Sequence, residues 1–139
     1  MNEEILFNLI KDNLVPDATR NGEFDPSDFY SAELNVEAEL KCISKHYGRV
    51  MIEKKKWDEL FALPGNKELR YIVSTPKGCW SFDLREMATR VPDDWWKQVF
   101  IGNASTHYHR NIQETYKTVA FLPLGWAKNI TLKINYPTI

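Results

Sequence analysis

Apolar residues recur at helical spacing in the first dozen positions and alternate with polar ones from residue 29 onward. Ile5, Leu6, Leu9 and Ile10 predict an amphipathic helix over residues 2–13, with Glu3 and Glu4 suited to its positive N-terminal end. Pro16 stops it. The following run, VPDATRNGEFDPSD, is rich in turn formers, and Asn21-Gly22 is its best tight-turn signal. A short strand is expected at 29–31 and a longer one at 34–43, joined as a hairpin that turns near residues 32–35. Along the longer strand, period-two alternation sends Val36, Ala38, Leu40 and Cys42 to a face fit for burial. Glu37, Glu39 and Lys41 go to the other face.

Further along, Trp57, Leu60 and Phe61 form one apolar stripe, predicting a helix over residues 52–62 that Pro64-Gly65-Asn66 ends. Residues 71–74 and 79–82 read as hairpin strands around Thr75-Pro76-Lys77-Gly78. Residues 84–98 read as short helical pieces broken at Val91-Pro92, with Asp93-Asp94-Trp95-Trp96 as a capped turn. Residues 106–110 fit either loop or strand. A strand is expected at 116–122, a short helix at 124–130 and a strand-like tail at 131–135. This order predicts an α+β (α/β) fold, a small mixed sheet flanked by helices, in one domain spanning 1–139.

Composition narrows the function classes. A length of 139 residues suits one core rather than two. An apolar content of 43% excludes wholesale disorder. A net charge of -1 argues against a histone-like polyanion binder, while leaving room for a local basic patch. Cys42 and Cys79 lack CxxC spacing, which points to a reduced cytoplasmic protein rather than a disulfide scaffold. The acidic N-terminus is unlike a signal peptide, and no stretch approaches the roughly 20 apolar residues of a membrane span.

An Asp, a short interval and then a carboxylate-x-Lys triplet on an apolar strand resembles the PD-(D/E)XK nuclease superfamily, the restriction-endonuclease-like folds. In this sequence these are Asp28, Glu39 and Lys41. A helix precedes the motif, and a helix and then a further strand follow it, as in that family. The phrases IEKKKW and STPKGCWSFDL are similar to those of small nuclease-like proteins from phages and environmental collections. The resemblance covers roughly residues 1–85.

It implies that Asp28 and Glu39 hold Mg²⁺ or Mn²⁺ and that Lys41 contacts the attacking water or the scissile phosphate. The implied activity is metal-dependent hydrolysis of DNA phosphodiesters, in repair, recombination or phage DNA processing, with a homodimer as the expected assembly. The residue types suit that chemistry. Mg²⁺ takes hard oxygen ligands and keeps waters, so one or two carboxylates plus phosphate oxygens suffice. A bound metal acidifies a water, and a lysine adds compact positive charge at the phosphorus. Residues two apart on a strand share a face at about 6–7 Å, close enough to reach one phosphate.

The sequence departs from the family pattern at one point. Ser27, not Pro, precedes Asp28, whereas a literal Pro-Asp occurs at Pro16-Asp17. Asp28 is preferred because an aromatic strand-like segment follows it directly; Asp17 is the rival ligand.

Glu37 and Glu53 are accessory candidates. The plainer alternatives are a solvated carboxylate for Glu37 and a favourable helix start for Glu53. Lys45, His46, Arg49, Lys54, Lys55 and Lys56 form a candidate phosphate-contacting edge, against the plainer reading of solvated surface. Glu53-x-Lys55 is a second acidic-x-Lys triplet and is assigned to a helix. His107-x-His109 lacks partners for a structural zinc, and with Arg110 is either a second nucleic-acid-facing patch or loop surface. The tryptophans read as core and interface anchors, and one of Trp95-Trp96 is expected to cover a dimer contact. The alternative function is a non-catalytic nucleic-acid-binding or protein-interaction module on the same fold.

Overall fold

The structure is a computed structural model that describes residues 1–101 and 115–137. Helix α1 (Glu3–Asn13) begins where Asn2 Oδ1 accepts the Ile5 N–H at 2.9 Å, satisfying a donor that the first helical turn leaves open. Leu6, Phe7 and Ile10 form its buried stripe. The strands that follow are β1 (Thr19–Arg20), β2 (Phe29–Ser31), β3 (Val36–Cys42) and β4 (Arg49–Glu53). Helix α2 (Lys54–Phe61) leads to β5 (Glu68–Thr75) and β6 (Gly78–Asp83), then α3 (Leu84–Arg90). After a 3₁₀ turn at Asp93–Trp95 come β7 (Lys97–Ile101), β8 (Thr115–Pro123), a 3₁₀ turn at Leu124–Trp126 and β9 (Lys128–Asn129).

Among the described residues the strands make two sheets, one of six in the order β1-β2-β3-β5-β6-β9 and one of three in the order β4-β8-β7. The larger sheet is mixed: β1, β2 and β3 meander antiparallel, β3 and β5 run parallel, and β5–β6 is the expected hairpin. A parallel neighbour needs a crossover, and β4 with α2 supplies it. The fold is thus α+β, with a mixed sheet between helical layers, as the element order predicts.

Alternation along β3 divides two cores. Val36, Ala38 and Leu40 pack with Leu6, Phe7 and Ile10 of α1 and with Ile134 and Tyr136 of the C-terminal segment. On the opposite face, Leu69, Tyr71 and Val73 of β5 pack with Trp57 and Leu60 of α2 and with Val50, Ile52, Ala120 and Leu122 of the smaller sheet. Glu37, Glu39 and Lys41 stand on that second face, at its rim.

Four local expectations are corrected. Ile52 and Glu53, expected to open the helix, belong to strand β4, because β4 pairs with β8 through Val50↔Leu122 and Ile52↔Ala120, and the helix begins only at Lys54. Residues 97–101 pair with β8 as a strand, where helical pieces were expected up to residue 98. The segment 124–130 is a single 3₁₀ turn followed by β9. Residues 131–135 form a turn: Ile134 N–H donates to Ile130 O at 3.1 Å, and Asn135 takes the left-handed conformation at φ 54°.

Trp95 and Trp96 both reach intramolecular partners. Trp95 stacks on Trp126 (5.2 Å between centroids, 16° between planes), and Trp96 meets Trp57 edge-on at 5.2 Å. The chain is extended at Trp96, so the two side chains diverge, and neither has to be covered by a second copy. The candidates His107, His109 and Arg110 lie outside the described residues. No described helix is long and apolar enough to cross a membrane.

Candidate functional site

The hairpin decides which aspartate lies near Glu39. The β2–β3 ladder begins at Phe29↔Ala38, and Asp28 stands immediately before it, alongside the Ala38–Leu40 stretch of β3. Two bonds hold Asp28 there: its N–H donates to Ala38 O at 2.9 Å, and its Oδ2 accepts the Leu40 N–H at 2.7 Å. The Asp28 carboxyl is close enough to Glu39 to raise the Glu39 pKa.

This proximity changes the chemistry of Glu39. Burial, reinforced by the neighbouring carboxyl of Asp28, pushes the Glu39 carboxyl up to about 8, against the opposing pull of Lys56. At neutral pH Glu39 therefore keeps its proton. The lysine beside Glu39 is Lys56 of α2, with its Nζ 3.4 Å from Glu39 Oε2, 2.8 Å from Pro26 O and 3.7 Å from Glu59. Lys41 is exposed, two residues along the same strand, and forms no ion pair among the described residues.

Two residues not singled out from the sequence belong to these surroundings. Glu3, at the start of α1, has its carboxyl raised by burial and by repulsion from Asp28, while Arg20 and Lys41 act in the opposite direction. The start of α1 thus lies in the electrostatic neighbourhood of Asp28 and Lys41. Tyr71 is the register partner of Glu39 on β5, and its hydroxyl donates to Met51 O at 3.0 Å. Burial above all pushes that hydroxyl upward, so it stays a donor. Tyr71 therefore ties the central sheet to β4 directly beside Glu39. An aromatic in an alternating strand gave no local hint of this, because the pairing to β3 is parallel and long-range.

The remaining candidates go elsewhere. Asp17 sits at the far end of the β2–β3 hairpin, where its carboxylate accepts the Ser31 hydroxyl at 2.6 Å and the Glu33 N–H at 3.0 Å. These bonds hold its pKa below the ordinary aspartate range. It shapes the turn and is remote from Glu39. Glu37 is not solvated: it is 6% exposed and fully engaged. The Ser27 hydroxyl and Asn21 Nδ2 donate to its Oε2, and Lys67 Nζ lies 2.9 Å from its Oε1. Glu53 turns to Lys117 across the β4–β8 ladder at 2.7 Å and makes no side-chain cap to α2.

The six basic candidates do not share one edge. Lys54 pairs with Asp58 at 2.9 Å and lies over the Trp96 ring, Lys55 is exposed, and Lys56 faces Glu39. Lys45 is exposed in the β3–β4 connection, followed by His46, whose Nδ1 is 2.9 Å from Thr75 Oγ1. The Arg49 guanidinium stacks 4.7 Å above the Phe121 ring. Cys42 and Cys79 are unbridged, and burial pushes the Cys79 thiol up to about 12, too high for a reactive thiolate.

No group of three or more His, Cys, Asp or Glu side chains converges on one point among the described residues. A pair does, and a pair is compatible with Mg²⁺ or Mn²⁺, which complete their shells with water and phosphate oxygens. The donor set fits: two carboxyls lie near each other beside an apolar core, and burial with the neighbouring Asp28 favours the protonated form of Glu39, a proton that a divalent cation would replace. Comparison with protein-family models, with curated proteins and with solved structures gives no significant match.

Proposed function

We propose that the chain is a metal-dependent endonuclease that hydrolyses DNA phosphodiester bonds, with Asp28 and Glu39 as the divalent-metal ligands and Lys41 beside the reacting phosphate. The observation that carries this reading is the placement of the Asp28 carboxylate on the Leu40 N–H, near enough to Glu39 to raise its carboxyl, with Lys41 two residues beyond Glu39 on β3. The element order supports it: a helix, a meander bearing the three residues, a helical crossover, and a strand parallel to β3. That is the order a restriction-endonuclease-like core has around its motif.

In the reaction a water oxygen bonds to phosphorus, one P–O ester bond breaks, and the departing oxygen takes up a proton. Mg²⁺ or Mn²⁺, when bound, would acidify the attacking water and polarise the phosphate. The chain's own residues do the positioning. The Leu40 N–H and the Ala38 carbonyl fix Asp28, and the parallel pairing to Tyr71 fixes the strand that carries Glu39. Lys41 supplies a mobile ammonium, free to follow the phosphate as negative charge grows on it.

The test is cleavage of plasmid and branched DNA with Mg²⁺ or Mn²⁺, comparing wild type with Glu39→Ala and Lys41→Ala. Loss of nicking by at least two orders of magnitude in both variants supports the assignment, and unchanged cleavage in both removes it.

One observation favours the second reading, a non-catalytic nucleic-acid-binding or interaction module. The carboxyl pair is already served from within the chain, Asp28 by the Leu40 N–H and Glu39 by Lys56. Calorimetry with Mn²⁺ separates the two. Binding that is lost in Glu39→Ala belongs to the enzyme; absence of any Mn²⁺ heat belongs to the module.

A further inference from the structure

Beyond Lys41 the surface opens into two cavities that share part of their lining. The nearer, about 360 Å³, is lined by Lys41, Ile43, Tyr47, Arg49, Met51 and Phe121 among others. The farther, about 900 Å³, has Arg49 and Phe121 on one side and Asp94, Trp95 and Lys97 on the other. Both cavities are lined by the Arg49–Phe121 pair, in which the guanidinium carbon sits 4.7 Å from the ring centroid. Tyr47, at the mouth of the nearer cavity, is 56% exposed.

Between them the two linings carry three cations, Lys41, Arg49 and Lys97, and three aromatic rings, Tyr47, Phe121 and Trp95. Three cations face one carboxylate, Asp94, so the track favours a polyanion although the whole chain carries a net charge of -1. Cations and rings in the same lining match a backbone whose phosphates are spaced by bases available for stacking. A base inside a duplex is already stacked on both sides and has no face to offer Tyr47 or Phe121.

We propose that these two cavities are a binding track for single-stranded DNA, so that the nucleotides leading away from the scissile phosphate enter the protein unpaired. Arg49 and Phe121 form the shared pair over which one base stacks, Tyr47 holds the base next to Lys41, and Lys97 and Arg49 neutralise flanking phosphates. This deepens the nuclease reading and rests on it only for the position of the scissile phosphate at the Lys41 end. The track makes the substrate a single strand, a flap or a splayed junction rather than a continuous duplex.

The experiment is fluorescence anisotropy in EDTA with a short labelled oligonucleotide, single-stranded or annealed to its complement, using the full chain. The single strand is expected to bind at least about tenfold tighter than the duplex. Tyr47→Ala and Arg49→Gln are each expected to weaken single-strand binding by about fivefold or more, while Tyr47→Phe keeps it. Tyr47 is too exposed for its truncation to unfold the chain. Equal or tighter duplex binding, or wild-type affinity in Tyr47→Ala, overturns the track.

Separate cleavage assays with Mg²⁺ keep the two conclusions apart. Single-strand preference without cleavage of any substrate leaves the track standing and sinks the nuclease. Cleavage of blunt duplex with no single-strand preference does the reverse.

Discussion

Asp28 stands beside Glu39 at the start of the β2–β3 hairpin, and burial together with that neighbouring carboxyl pushes Glu39 up to about 8, at a cost to the folded state at neutral pH. The cost arises because Glu39 is largely removed from water next to another carboxyl, and the pull of Lys56, 3.4 Å away, does not offset this.

The sign of the pH dependence follows. An unfolded Glu39 ionises near 4.5, and the folded one near about 8. Between those values the native state holds a proton that the unfolded state has released, so this group's stabilising contribution is complete below pH 4.5 and falls as pH rises towards 8. In Glu39→Gln that decline disappears. Urea denaturation at pH 4.5 and pH 8.5 should show the variant gaining on wild type by on the order of 2 kcal/mol. That is less than the full shift implies, because Glu39 keeps some solvent contact. A constant difference between the two proteins would show that Glu39 titrates normally.

Metal binding should act as a folding ligand. Mn²⁺ well above its dissociation constant is expected to raise the thermal midpoint of wild type by several degrees, since about 100-fold excess contributes roughly 2.7 kcal/mol. Asp28→Asn should lose most of that rise, whereas Asp17→Asn should keep it, because Asp17 caps the distant turn. Equal loss in both variants would argue against Asp28 as a specific ligand.

Glu37 should prove structural. Glu37→Ala leaves Lys67, Ser27 and Asn21 without their common acceptor in a buried pocket. The expected loss is about 2–3 kcal/mol in denaturant titration, with cleavage per folded molecule little changed. A stable variant without activity would instead move Glu37 into the site.

Gly78 should not tolerate a side chain. A Cβ there would fall 2.3 Å from Thr131 Oγ1, on a backbone at φ +152°. That hydroxyl accepts the Cys79 N–H at 2.9 Å and so ties the C-terminal segment to β6. Gly78→Ala is expected to lower stability by about 2 kcal/mol. The check is the thermal midpoint, with amide exchange fastest over residues 128–136.

Sequence alone determined the elements whose evidence is local. The stripe of α1, the hairpin turning at 32–35, the split of β3 into an apolar and a charged face and the β5–β6 hairpin all follow from periods of 3.6 or 2 and from turn residues. Such periods record which neighbours along the chain share a face. They are silent about partners far along it.

Tertiary structure decided what depends on such partners. Residues 49–53 became a strand because β8, seventy residues on, offers Leu122 and Ala120 to Val50 and Ile52. The hairpin put Asp28 beside the Glu39–Leu40 stretch and Asp17 at its far end, on Ser31 and Glu33. Packing turned Glu37 from a solvated charge into a buried anchor and brought Lys56 of α2, rather than Lys41, against Glu39. A carboxylate's role is set by which charges and how much solvent surround it, and those surroundings come mostly from elements remote in sequence.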